Sequence, residues 1–276
     1  MKNAEEVNRY FKEHNLRFSK QTIKTYKFVV NKFFSFYKKD YDKITQKDIE
    51  NYMLYLNKKG LSPATRAKEL IALRSFFNFL LEDELIKKDP TKGIDKPKIP
   101  DTYPSYLTDL EVLKLREIVK DTKKRAIIEI LYATGVRPSE LVNIKHKDIN
   151  WKQKQIKIPE GKGKKERTVY FREECALWLK KHIKETKEKS EYVFLSDRKS
   201  KISKRTVQRY LADYSKELGF LVNPRILRYT FVVHMAQQGA PLEDIRILLG
   251  HDDIETTSTY AKLYNEAIKN TYDQFM

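Results

Sequence analysis

Between residues 85 and 106 the chain loses its periodicity: Pro90, Pro97, Pro100 and Pro104 fall there among lysines and Gly93. Proline fixes φ and lacks the amide donor, so neither a helix nor a central strand runs through such a stretch. It reads as an extended, semi-rigid linker, long enough to pass around something held between two domains. The 276 residues suffice for two domains, each burying its own core. Ahead of the break, residues 1–84 are helical by pattern. Ile23, Tyr26, Val30, Phe33 and Tyr37 recur at three- and four-residue steps over Gln21–Tyr37, and Ile49, Met53 and Leu56 do the same after Thr45. Ser62-Pro63 joins a side-chain cap to a proline at the first helical position, opening a helix that turns Ala67, Leu70, Leu73, Phe77 and Leu80 inward. With a helix near Ala4–His14, the first domain is expected to be a compact four-helix unit ending near Glu84.

Residues 107–276 mix two periods. Thr108-Asp-Leu-Glu111 has the spacing of a capping box. Helices are expected at Asp109–Val119 and Lys123–Ala133, with a further turn at Arg137–Val142. From Ile149 to Phe171 the pattern changes to alternation: Ile156 and Ile158, a turn at Gly161-Lys162-Gly163, then Thr168 and Tyr170, which predicts a small antiparallel sheet. Helices resume at Glu173–Glu185, Ser203–Glu217, Pro224–Gln238 and Leu242–Leu249. A last one, Asn265–Phe275, carries Ile268, Tyr272 and Phe275 on one face. The expected fold class is mainly α, a helical domain followed by an α+β domain.

The charge narrows the partner. Lys and Arg number 56 against 38 Asp and Glu, a net charge of +18. Residues 1–100 hold 22 basic and 13 acidic side chains and residues 101–276 hold 34 and 25, so the excess is no detachable tail. Both parts suit a polyanion, nucleic acid above all, although a Lys-rich surface also serves plain solvation. The single cysteine, Cys175, excludes a disulfide framework and a cysteine zinc cluster, and no residue spacing has metal-ligand form. No apolar run approaches the roughly 18 residues that span a bilayer. The Met1-Lys-Asn-Ala-Glu-Glu start has no signal-peptide core. A cytoplasmic protein with no membrane, metal or cofactor partner is expected.

Four segments carry the chemistry: Ala133-Thr-Gly-Val-Arg-Pro-Ser-Glu-Leu141, Gly161-Lys-Gly-Lys-Lys-Glu-Arg167, Pro224-Arg-Ile-Leu-Arg-Tyr-Thr-Phe231 and Leu249-Gly-His-Asp-Asp-Ile-Glu-Thr-Thr-Ser-Thr-Tyr260. Each alone is weak. In this order, with His251 nine residues before Tyr260, they resemble the catalytic boxes of the tyrosine recombinase (phage integrase) family, in the size and layout of Xer-like site-specific recombinases. The resemblance covers nearly the whole chain. It implies an N-terminal helical core-binding (SAM-like) domain over 1–84, a linker over 85–106 and a catalytic domain over 107–276. It further implies double-stranded DNA as substrate, a homotetramer on two DNA sites assembled from free monomers or dimers, and a C-terminal helix 265–275 that is exchanged between protomers or folds back on its own core.

Phosphodiester transfer places extra negative charge on the nonbridging oxygens, which planar guanidinium forks match better than a point ammonium does. Arg137 and Arg228 are the natural pair, although Glu140, three residues beyond Arg137, also allows a plain salt bridge. Lys162 sits between two glycines, where the backbone can approach a ligand. The resemblance implies that it protonates the 5′-oxygen leaving group; Lys164 and Lys165 suit nonspecific phosphate contact. His251, at a helix end after Gly250, is placed to hydrogen-bond the scissile phosphate, whereas His14, His146, His182 and His234 are taken as structural. Tyr260 is selected as nucleophile from 17 tyrosines by position alone. A phenol ordinarily ionises near pH 10, so it needs a cationic pocket to attack at neutral pH.

One departure stands out. The family has His-x-x-Arg where this chain has Arg225 before Arg228, and Tyr229 stands where a histidine is common. Arginine keeps its proton in proteins, so Arg225 can stabilise charge but cannot act as general base. The base is left open, as are type IB topoisomerase-like relaxation and a noncatalytic DNA-binding role. Dimer resolution and mobile-element integration also remain alternatives, and the DNA target is not legible.

Overall fold

The computed structural model describes residues 2–100, 104–159, 166–250 and 254–275. The chain forms two compact units, Met1–Asp101 and Thr102–Met276. The first holds α1 (Lys2–Glu13), α2 (Lys20–Tyr37), α3 (Gln46–Lys58) and α4 (Pro63–Glu82), with a short 3-10 turn at Tyr41–Lys43. Their starts are set locally. Ser19 and Ser62 accept the amides of Thr22 and Thr65, and Thr45 closes a capping box with Asp48. Tyr10, Phe33, Tyr52, Phe76 and Phe77 are fully buried at the centre. A carboxylate is buried among them: Glu69 accepts from Lys32 Nζ at 2.7 Å and from Tyr52 Oη at 2.9 Å, joining three helices through a satisfied polar group.

Part of the proline-containing segment packs with the first unit. Leu85, Ile86 and Ile94 pack on the core of the first unit, and Thr91 is fully buried there. Sparse apolar residues without a period escape pattern analysis, yet each still gains by leaving water.

The second unit contains α5 (Asp109–Ile118), α6 (Thr122–Thr134), the single turn α7 (Pro138–Leu141), β1 (Ile149–Asn150), β2 (Gln155–Ile158) and β3 (Arg167–Tyr170). These are followed by α8 (Glu173–Glu185), α9 (Lys204–Leu218), α10 (Pro224–Gln237), α11 (Leu242–Leu249) and α12 (Ile254–Phe275). The fold is mostly helical, and the strands form one antiparallel sheet in the order β1-β2-β3. Its register opposes Ile156 to Val169 and Ile158 to Arg167. Val169 is buried and Tyr170 exposed, so the inner face of β3 carries Arg167 and Val169. Thr168 and Tyr170, which mark the alternation in the sequence, take the opposite face, since successive side chains of a strand point to opposite sides.

The segment entering this unit is tied to α10. Leu107 donates its amide to Thr230 Oγ1 at 2.9 Å, and His234 Nε2 donates to the Leu107 carbonyl at 3.1 Å. His234 Nδ1 then accepts from Tyr132 Oη at 2.9 Å. The final helix also departs from expectation: α12 is continuous from Ile254 and includes Tyr260, whereas the pattern had begun it at Asn265. Tyr260, Leu263 and Ala267 are buried in a cluster with Tyr229, Val232, Val233 and Leu249. That packing overrides the weak helix propensity of Thr256-Thr-Ser-Thr. Ile268 and Tyr272 stay exposed, and the Phe275 side chain lies outside the described residues. Among the described residues, no helix is long and apolar enough to cross a membrane.

Candidate active site

The site forms where α10, α12, α7 and the end of α11 meet. Asn223 caps α10 and Pro224 starts it, which places Arg228 one turn in, with its side chain buried against α12. Its Nε donates to Tyr260 Oη at 2.9 Å, Nη2 to the Leu249 carbonyl at 3.0 Å, and Nη1 to the Gly135 carbonyl. Burial, with Arg137 nearby, draws the Arg228 guanidinium below the ordinary arginine range.

Arg137 is the N-cap of α7, brought there by Gly135, which ends α6 in the left-handed region at φ +61°. A Cβ on Gly135 would lie 2.7 Å from Phe231 Cδ1 and 2.9 Å from Leu249 Cδ2, so only glycine lets α6 and α10 approach this closely. Arg137 Nη1 donates to Glu140 Oε1 at 3.1 Å and to the Leu249 carbonyl at 3.4 Å. Arg137 and Arg228 therefore share one carbonyl, and Arg228 also reaches the Tyr260 hydroxyl.

Two residues that pattern analysis did not select complete this set. Glu140 takes the Arg137 amide at 2.7 Å and a bidentate pair from Arg167, Nη1 at 3.0 Å and Nη2 at 2.8 Å. Burial works to raise the Glu140 carboxyl, but the hydrogen bonds from Arg167 and Arg137 outweigh it and hold the group at about 2. The spacing of Glu140 from Arg137 was visible in the sequence. The contribution of Arg167 was not, because it depends on the register of β3.

Arg225 is exposed on α10. Its Nε donates to Tyr229 Oη at 2.5 Å, with the guanidinium 5.2 Å from that ring. The Tyr229 ring meets the Tyr260 ring edge-on at 5.7 Å. Thus Arg137, Arg228 and Tyr260 come together, with Arg225 one ring away. Lys162 and His251 lie outside the described residues. Among the described residues, no group of three or more His, Cys, Asp or Glu side chains is arranged to hold a metal ion.

This arrangement can be set beside known proteins. Residues 105–267 match the phage integrase family, and residues 5–87 match the phage integrase N-terminal SAM-like domain. Tyrosine recombinase XerA of Pyrococcus horikoshii is 31% identical over 259 residues, covering 93% of this chain and 88% of the relative. Tyrosine recombinase XerC of Thermodesulfovibrio yellowstonii is 33% identical over 272 residues, covering 93% and 90%. A crystal structure of XerA recombinase aligns over 99% of this chain and 98% of its own at 30% identity and a TM-score of 0.57. A lambda integrase dimer bound to a COC′ core site shares the fold at a TM-score of 0.79 and 21% identity, covering 94% and 95%. Both halves of the chain thus match the two parts of one architecture, and the chain belongs to the phage integrase family as a tyrosine-type site-specific recombinase.

Proposed function

We propose that strand cleavage here is attack by Tyr260 Oη on the scissile phosphorus of duplex DNA. The observation that carries this is the 2.9 Å hydrogen bond from Arg228 Nε, which seats the phenol inside a guanidinium pocket. A phosphorus–oxygen bond forms to Tyr260 as the bond to the 5′ oxygen breaks; the phenol loses its proton and the 5′ oxygen gains one. The 3′-phosphotyrosyl product keeps the phosphoester energy, so attack by another strand's 5′-hydroxyl rejoins DNA without a nucleotide cofactor. Arg137 and Arg228 hold the nonbridging oxygens, where fixed donors act on developing charge without reorganising. On family resemblance, Lys162 supplies the leaving-group proton and His251 bonds the phosphate. Arg225, held against Tyr229, adds positive charge at the edge of the pocket.

Both units bind DNA in this reading, since the excess of basic residues is shared between them. A solved relative is a lambda integrase tetramer bound to a Holliday junction. By extension, four copies of this chain act on two duplex sites. The exposed Ile268 and Tyr272 on α12 are then available to a neighbouring protomer.

The test is covalent capture from a library of nicked duplexes with a randomised central sequence. Full-length protein is denatured, the retained DNA is sequenced, and the enriched duplex becomes the substrate. Adduct with wild type and none with Tyr260→Phe supports the reading. Binding without adduct indicates a noncatalytic protein, and plasmid relaxation without strand exchange indicates topoisomerase-like action.

A further inference from the structure

Three guanidinium groups from three elements ring the last turn of α11. Arg228 from α10 and Arg137 from α7 both donate to the Leu249 carbonyl, and Arg167 from β3 donates through Nε to the Leu248 carbonyl at 2.8 Å. The unpaired carbonyls of a helix C-terminus carry partial negative charge, so this rim suits cations. Two of the three are assigned to the phosphate. Arg167 is different: its side chain is only 10% exposed, and its Nη1 and Nη2 both lie on Glu140.

We infer that Arg167 is a positioning residue for strand cleavage, holding Glu140 and the end of α11 so that Arg137 stays free to take the phosphate. The inference rests on the assignment of Arg137 to the phosphate. Its physical basis is how the Glu140 charge is shared. A half-buried carboxylate is costly to leave unpaired, so it attracts a neighbouring guanidinium. Here Arg167 supplies the bidentate fork, and Arg137 Nη1 makes one contact to Glu140 Oε1. Two cations face one anion, leaving a net positive charge. Without Arg167, Glu140 would compete with DNA for Arg137.

Two features show that the position is built for arginine. The register of β3 opposes Arg167 to Ile158 on the inner face of the sheet, so its side chain cannot turn to solvent without breaking pairing. Gly250, at φ +62°, leaves the space it needs: a Cβ there would lie 2.8 Å from Arg167 Cδ and 3.1 Å from Nε and Nη1. Lysine would keep the charge but lose the three-point geometry.

The groups facing Glu140 among the described residues are Arg137, Arg167 and, through its field, Arg228. With Arg167 present the carboxyl is held at about 2, so cleavage is insensitive to it across the pH range in which duplex DNA survives. With Arg167 replaced, burial is opposed by fewer hydrogen bonds and the carboxyl titrates higher, so its protonation at the acid end releases Arg137 and cleavage recovers as pH falls.

The experiment is single-turnover cleavage of the enriched nicked duplex by full-length Arg167→Lys and Arg167→Gln, from pH 5 to 9, with binding measured in parallel. We expect cleavage to fall by about 10- to 100-fold, as for a misplaced catalytic group, with Kd changed less than about twofold. The recovery toward acid pH should vanish when Glu140→Gln is added to either variant. Wild-type cleavage by Arg167→Lys overturns the inference, as does a slow variant with an unchanged pH profile. If Arg167→Gln does not fold, Arg167→Lys decides alone. Should Arg137→Ala cleave normally, the phosphate assignment itself fails; an inert Arg137→Ala beside a wild-type-like Arg167→Lys removes only the role of Arg167.

Discussion

Arg225 and Tyr229, the two positions at which this chain departs from its family's pattern, bind each other: the Arg225 guanidinium donates to the Tyr229 hydroxyl at 2.5 Å, one turn along α10. Burial raises the Tyr229 phenol and the Arg225 contact opposes that rise. The pair therefore places a fixed cation one ring away from Tyr260, and arginine, which keeps its proton, cannot relay one. Arg225→Ala is expected to slow single-turnover cleavage by about 10- to 100-fold, less than the loss of a donor in direct contact with developing charge, because Arg225 is exposed and one ring away. Tyr229→Phe frees Arg225 and should have a smaller effect. Equal rates for wild type and Arg225→Ala would exclude Arg225 from the reaction.

Tyr260→Phe keeps the ring that packs with Leu263 and Ala267 and removes the oxygen that Arg228 reaches. Duplex affinity should stay within about threefold of wild type while covalent adduct disappears. A denaturant-resistant adduct with this variant would reassign the nucleophile.

Gly135→Ala tests how the arginine pair is assembled. The added methyl meets Phe231 and Leu249 inside van der Waals distance at a left-handed backbone position. A loss of about 1–3 kcal/mol in unfolding free energy is expected, as for an overpacked core, with lowered cleavage. Calorimetry and single-turnover cleavage of the nicked duplex read the two effects; an unchanged Tm contradicts the packing argument.

Glu140 also makes stability depend on pH. Its carboxyl is held at about 2 against an ordinary 4.5, so its contribution is complete above about pH 4.5 and is lost as pH falls toward 2. The shift corresponds to about 3 kcal/mol at most. Urea unfolding of wild type and Glu140→Gln should differ clearly at pH 7 and converge by about pH 2. A gap that persists at the acid end would mean that charge is not its source.

The net charge of +18 predicts steeply salt-dependent binding. Affinity for any duplex should fall by orders of magnitude between about 50 and 200 mM salt, in a linear plot of log K against log salt. A flat response, read by fluorescence anisotropy, would mean that the basic side chains do not meet phosphate.

Much of this protein is settled by the sequence itself, where the deciding interactions are local. Thr108 and Glu111 close their capping box at 2.8 and 3.2 Å, and Ser62-Pro63 opens α4, because cap and helix lie within one turn of each other. The order of the four boxes, and with it the chemistry, is likewise written along the chain. What tertiary structure decided lies farther apart. Tyr260 meets Arg228 across 32 residues, and Arg167 meets Glu140 across 27. The inner face of β3 depends on pairing with β2, which turns Val169 and Arg167 inward. Residues 85–94 join the first unit, and α12 runs through Tyr260, because burial against partners distant in sequence outweighs weak local preference. Local hydrogen bonds and periods can be read from neighbouring residues; the charges and apolar faces that complete a site are chosen by what packs against them.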